Sequence, residues 1–123
     1  MATPRLSEKA GLLNITIEQG ATFNPVFTWK DELGNPIDLS GFSGRMHIRG
    51  EIEDVAPLLE ITTANTYMVL GGALGTITLN VPASITAALD FDTAVYDLEL
   101  ESSGGDVTRL LKGSVGLSPE VTR

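Results

Sequence analysis

Apolar residues recur at every second position along most of this chain, and that pattern leaves few folds open. Ile15 and Ile17 alternate with Asn14, Thr16 and Glu18, while Phe23, Phe27 and Trp29 share one parity against Asn24 and Thr28. Met46 and Ile48 alternate with Arg45, His47 and Arg49, and Ile77, Leu79 and Val81 with Thr76, Thr78 and Asn80. Tyr96, Leu98 and Leu100 alternate with Asp97, Glu99 and Glu101. Val107, Leu111, Val115 and Leu117 carry the pattern onward, with Arg109 and Gly113 out of phase. Successive side chains of a strand point to opposite faces, so each run reads as a strand with one dry and one wet face.

Turn chemistry separates the runs at short intervals. Glu18-Gln19-Gly20 closes the first. Asp31-Glu32-Leu33-Gly34-Asn35-Pro36 reads as a hairpin loop, with Gly34 free to take positive φ and Pro36 unable to donate to a ladder. Gly71-Gly72 and Gly75 bracket another tight connection, and Ser102-Ser103-Gly104-Gly105-Asp106 reads as a hairpin tip. The expected strands are Leu13–Glu18, Thr22–Lys30, Ser43–Arg49, Leu58–Thr62, Tyr67–Leu70, Gly75–Val81, Ala94–Ser102 and Val107–Leu117. One segment breaks the period. Pro82 to Leu89 sets Ile85 and Leu89 four apart among alanines, which suits a short helix crossing the end of the sheets. The expectation is an all-β, immunoglobulin-like antiparallel β-sandwich of seven to eight strands with one short crossing helix, a small barrel being the alternative.

A length of 123 residues fits one domain, expected over 12–123. Residues 1–11 lack any period, contain Pro4 and Gly11, and are expected to form a flexible N-terminal arm, either a plain tail or one that orders against a neighbouring subunit. With no cysteine, neither a disulfide nor a thiolate metal site is available. Sixteen Asp and Glu against eight Lys and Arg give a net charge of −8, the wrong sign for a phosphate-binding surface, so nucleic acid is not an expected partner. The start has no apolar signal region, and the densest apolar stretch, Tyr67–Leu74, is too short and glycine-rich to span a bilayer, so no membrane association is expected.

Several segments together resemble a known family. These are Asn14-Ile15-Thr16-Ile17-Glu18-Gln19-Gly20-Ala21-Thr22-Phe23, Thr28-Trp29-Lys30-Asp31, Gly34-Asn35-Pro36-Ile37-Asp38-Leu39-Ser40-Gly41-Phe42 and Gly44-Arg45-Met46-His47-Ile48-Arg49. Tyr96-Asp97-Leu98-Glu99-Leu100, the run from Val107 to Gly113 and Ser118-Pro119-Glu120-Val121-Thr122-Arg123 complete the set. The chain resembles short virion structural proteins of tailed bacteriophages and is similar to the N-terminal module of phage baseplate upper proteins. The resemblance runs from Asn14 to Arg123; its motifs are specific as a set and weak singly. It implies a component of the phage particle, assembled in the host bacterial cytoplasm, in the tail or its adhesion apparatus. No catalytic residue comes with it. The same motif has a purely structural reading: Ile37 and Leu39 anchor the loop while Asp38 and Ser40 bond nearby backbone N–H groups. Tyr96 reads likewise as a corner residue whose hydroxyl caps a loop.

The residues offer little chemistry. His47, the one histidine, lies on a wet strand face between Arg45 and Arg49, a poor setting for a general base. That basic row is expected either to pair across strands with Asp97, Glu99 and Glu101 or to stand apart as a charged docking surface. Glu51, Glu53 and Asp54 lack the spacing of a calcium loop, and Gly71-Gly72-Ala73-Leu74-Gly75 lacks the lysine and helix of a phosphate loop. The chain is therefore read as non-enzymatic, with no metal or cofactor.

More suggestive are apolar residues out of place. Tyr67, Met68, Val69, Leu70 and Leu74 are denser than an edge strand needs, and Leu12, Leu13 and Leu110 fall on the wrong parity. These eight are the candidate interface, against the alternative of a strand buried on both faces. The function expected is a structural subunit of a phage tail, baseplate or fibre junction that contacts other virion proteins as a homo-oligomer or symmetric array. A capsid decoration protein is the second reading. A carbohydrate-binding module is the weakest, because the aromatic residues are needed inside.

Overall fold

In the computed structural model, which describes residues 11–122, the chain is a two-layer β-sandwich with one short helix. Its strands are β1 (Gly11–Leu12), β2 (Ile15–Glu18), β3 (Val26–Thr28), β4 (Ser43–Arg49), β5 (Leu59–Thr62), β6 (Met68–Leu70), β7 (Thr76–Leu79), β8 (Thr93–Glu101) and β9 (Val107–Ser118). The helix α1 spans Ala83–Ala87, inside the segment where the two-residue period fails. The broad sheet runs β1-β9-β8-β4-β5, with β2 also on β9, and the narrow sheet runs β3-β7-β6. This strand order is that of an immunoglobulin-like sandwich, with a B-E-D sheet packed on a G-F-C sheet that β5 extends at one edge and β1 and β2 at the other.

The alternating residues do what their parity requires. Ile17, Met46, Ile48, Ile61, Ile77, Leu79, Val81, Leu98, Leu100 and Val115 are all essentially inaccessible and form one core between the layers. Trp29 closes one region of it, its ring edge-on to Phe42 at 6.3 Å. The motif loop behaves as its residues suggest. Gly34 takes φ +85°, the Asp31 carboxylate accepts from the N–H groups of Leu33 and Asn35, and Ile37 and Leu39 are buried. Asp38 accepts from both the N–H and the hydroxyl of Ser40, which holds its carboxyl below the usual range.

Three expectations need correction. The sheet is not antiparallel throughout, because β1 and β2 both run parallel to β9, from Gly11 opposite Leu111 to Glu18 opposite Ser118. Alternation reports which face a residue occupies and is silent on the direction of its partner strand. The first expected strand, Leu13–Glu18, is split. At Leu13 and Asn14 the chain leaves the ladder, the Leu13 carbonyl fills the space a Cβ on Gly113 would occupy, and the Asn14 side chain accepts the Ser114 N–H instead. The Tyr96 hydroxyl donates to that same Leu13 carbonyl at 2.6 Å, so it caps the short loop between β1 and β2, as expected of a corner tyrosine. Finally, Gly11 belongs to β1, so the expected arm 1–11 gives up that residue; residues 1–10 lie outside the described part.

The end crossed by α1 is tied to the edge strands by polar groups. Thr86, fully buried, donates to the Ala21 carbonyl and accepts from the Gly20 N–H. Gln19 bridges the Leu89 carbonyl and the Glu120 N–H, both at 2.9 Å. These contacts satisfy the backbone where β2 ends.

Candidate functional site

The outward faces of the two sheets differ in kind. The narrow sheet is built from Val26-Phe27-Thr28, Met68-Val69-Leu70 and Thr76-Ile77-Thr78-Leu79, with no charged residue in any strand. Its register sets Val26 and Val69 on either side of Thr78, and Thr28 beside Thr76. Val26 is 58% exposed and Val69 56%, while Leu74, in the 3₁₀ turn Gly72–Leu74 between β6 and β7, is 69% exposed. The result is a face of β-branched and small hydroxyl side chains with a leucine at its end. Such a surface loses little by desolvation, because neither charge nor buried amide must be stripped of water.

The broad sheet presents Arg45, His47, Arg49, Asp97, Glu99, Glu101, Arg109 and Lys112 on its outward rows. Arg45 bridges Glu99 and Glu101, each at 3.0 Å, and those two carboxylates hold its guanidinium protonated even above its ordinary range. Arg109 approaches Asp97 at 3.4 Å, and His47 lies 3.4 Å from Glu60 on the adjacent strand. The cross-strand pairing expected for the basic row therefore forms at Arg45. Arg49 does something else: its guanidinium donates to the carbonyls of Asp54 and Val55, both at 2.9 Å, and holds the β4–β5 loop against the sheet. Between that loop, at Ile52, and Leu12 on β1 runs a groove of about 480 Å³ floored by the charged rows.

The candidate interface residues fall into three groups. Val69 and Leu74 lie exposed on or beside the narrow sheet, whereas Leu70, opposite Ile77 on the inward parity, and Tyr67 are partly buried and pack against the core, so Leu70 is not part of the outer face. Leu12 and Leu13 are exposed on the far edge of the broad sheet, so the structure does not bring them to the narrow face. Met68 and Leu110 are corrections. Met68 is 1% exposed because it faces Leu79 across the ladder, on the inward parity. Leu110 is 2% exposed because β9 bulges there: Leu98 pairs with Leu111 and Glu99 with Arg109, so Leu110 is the extra residue and both leucines turn inward. Sequence reasoning missed Val26, although its shared parity with Asn24 and Thr28 marks it as outward.

Among the described residues no group of three or more His, Asp and Glu is placed to hold a metal, and no helix is long and apolar enough to cross a membrane. The described aromatic rings are buried or only partly exposed.

No family model matches this chain, and no curated protein does. Among solved structures the chain is similar to the extracellular domains 3–5 of Drosophila OTK, at 16% sequence identity and a TM-score of 0.36. That alignment covers 98% of this chain and 38% of the other. The strand order of the two sheets, rather than this likeness, establishes the immunoglobulin-like sandwich.

Proposed function

We propose that this chain is a non-enzymatic structural subunit of a tailed-bacteriophage particle, in the tail, baseplate or fibre junction, and that it works by docking on neighbouring virion proteins. The observation that carries the reading is the charge-free outer face of the narrow sheet, with Val26, Val69 and Leu74 open on it in a chain of net charge −8. In so acidic a chain, a face without charge is where another protein approaches with the least electrostatic and desolvation penalty. The motif resemblance to phage virion proteins supplies the setting.

The test is incorporation. A phage carrying Val69→Asp together with Leu74→Asp should yield particles that lack the protein, while the purified variant keeps its β-sheet circular dichroism and melting temperature. Particles that contain the variant at the normal level would sink the assigned surface. Density for the wild-type chain on the head shell would move it to a decoration role, and its absence from purified particles would remove the virion reading altogether.

A further inference from the structure

We propose that the groove on the broad sheet and the acidic loop beside it form one self-complementary surface, on which a second copy of this chain docks about a two-fold axis. Of the described basic residues Lys30, Arg45, Arg49, Arg109 and Lys112, all but Lys30 line this groove, and the one histidine joins them. The carboxylates lining it are Asp97 and Glu99, and Glu101 and Glu60 also pair with its Arg45 and His47, so the cationic character of the groove rests on Arg49 and Lys112. Asp97 and Glu99 are engaged by Arg109 and Arg45. Arg49 bonds only backbone carbonyls and His47, and Lys112 reaches no carboxylate among the described residues. Two cations therefore remain to meet carboxylates brought from outside.

Those carboxylates are next door. The loop that Arg49 pins at the groove wall carries Glu51 and Glu53, both exposed and neither ion-paired among the described residues, with Ile52 82% and Val55 96% exposed among them. A cationic groove beside an acidic, apolar loop is complementary to itself under two-fold rotation. Each copy's Glu51 and Glu53 then face the other's Arg49 and Lys112, while Ile52 and Val55 cover Leu12. Both halves of the match sit on one surface, which favours a second copy over an unrelated acidic partner. In a chain that otherwise repels itself, joining these two regions is the arrangement that turns repulsion into attraction. The contact adds to the narrow-sheet surface and does not depend on the virion assignment, because it is read on the isolated protein.

Sedimentation velocity of the full chain over a concentration series tests it. A monomer–dimer equilibrium that weakens as salt is raised is expected. Lys112→Glu or Glu53→Lys alone should weaken the dimer about tenfold, and the two reversals in one chain should restore it. Should Lys112→Glu lower the melting temperature by placing a second acid opposite Asp97, Glu53→Lys on the open loop and Ile52→Asp at the groove wall carry the test. A chain that stays monomeric throughout, a dimer indifferent to the single reversals, or a double variant without recovery would each overturn the proposal.

Discussion

The two outer faces of this sandwich solve the problem of facing water differently. On the broad sheet the register sets acids against bases: Arg45 lies opposite Glu99 and His47 opposite Asp97, so much of the charge is answered within the ladder. On the narrow sheet the outward rows are Val26–Thr78–Val69 and Thr28–Thr76, which ask nothing of each other beyond contact. Identical inward alternation therefore underlies two surfaces of different chemistry. Burial parity builds the fold, and the identity of the outward residues decides the chemistry of each face.

If the faces differ in what they contact rather than in what holds the domain up, large stability effects belong to the interior. Leu110→Ala and Met68→Ala should each cost about 2–5 kcal/mol in chemical denaturation, as buried large-to-small changes do. Val69→Ala and Val26→Ala should stay within roughly 0.5 kcal/mol. A cost at Val69 equal to that at Leu110 would break the comparison, since it would mean that the narrow face is already covered within the chain.

The next effect sharpens the account of the broad sheet's edge. Tyr96→Phe removes the donor to the Leu13 carbonyl and should cost on the order of 1 kcal/mol. Burial raises the Tyr96 phenol to about 12. An unfolded tyrosine releases its proton near pH 10. The stabilising contribution of the neutral phenol is thus full below about pH 10 and is lost as pH rises towards 12. Tyr96→Phe should flatten the melting temperature across that window; an unchanged alkaline slope would show that another group governs it.

The smallest effect concerns the charged rows themselves. Arg45→Met keeps the aliphatic stem and deletes the bridge to Glu99 and Glu101. It should cost roughly 0.5–1 kcal/mol at low salt and less at high salt, because the pair is partly exposed and screened. A cost that ignores salt would mean that Arg45 acts by packing.

Much of the fold was legible because burial on one face forces a period of two. Ser43–Arg49 matches its strand end to end, and Thr93–Glu101 lies within one residue of expectation at either end. The parallel edge was hidden because parity does not encode strand direction. Leu110 was misplaced because a bulge adds a residue without leaving a sequence mark other than two adjacent leucines before Lys112. The same parity rule places Val69 outward and Met68 inward, and treating Tyr67–Leu70 as a block obscured it. The groove was the least legible, since it depends on a loop whose path is set by Arg49 reaching the carbonyls of Asp54 and Val55.

The parallel seam between β9 and the two short strands beside it has a mechanical consequence. Tension applied through the residues before Gly11 and after Ser118 would pull along both strands in opposite senses, so their backbone hydrogen bonds would be loaded together in shear rather than unzipped one by one. A domain seamed in this way is suited to transmitting force along its length, with the kink at Leu13 and Asn14, latched by Tyr96, as the point where slippage would begin.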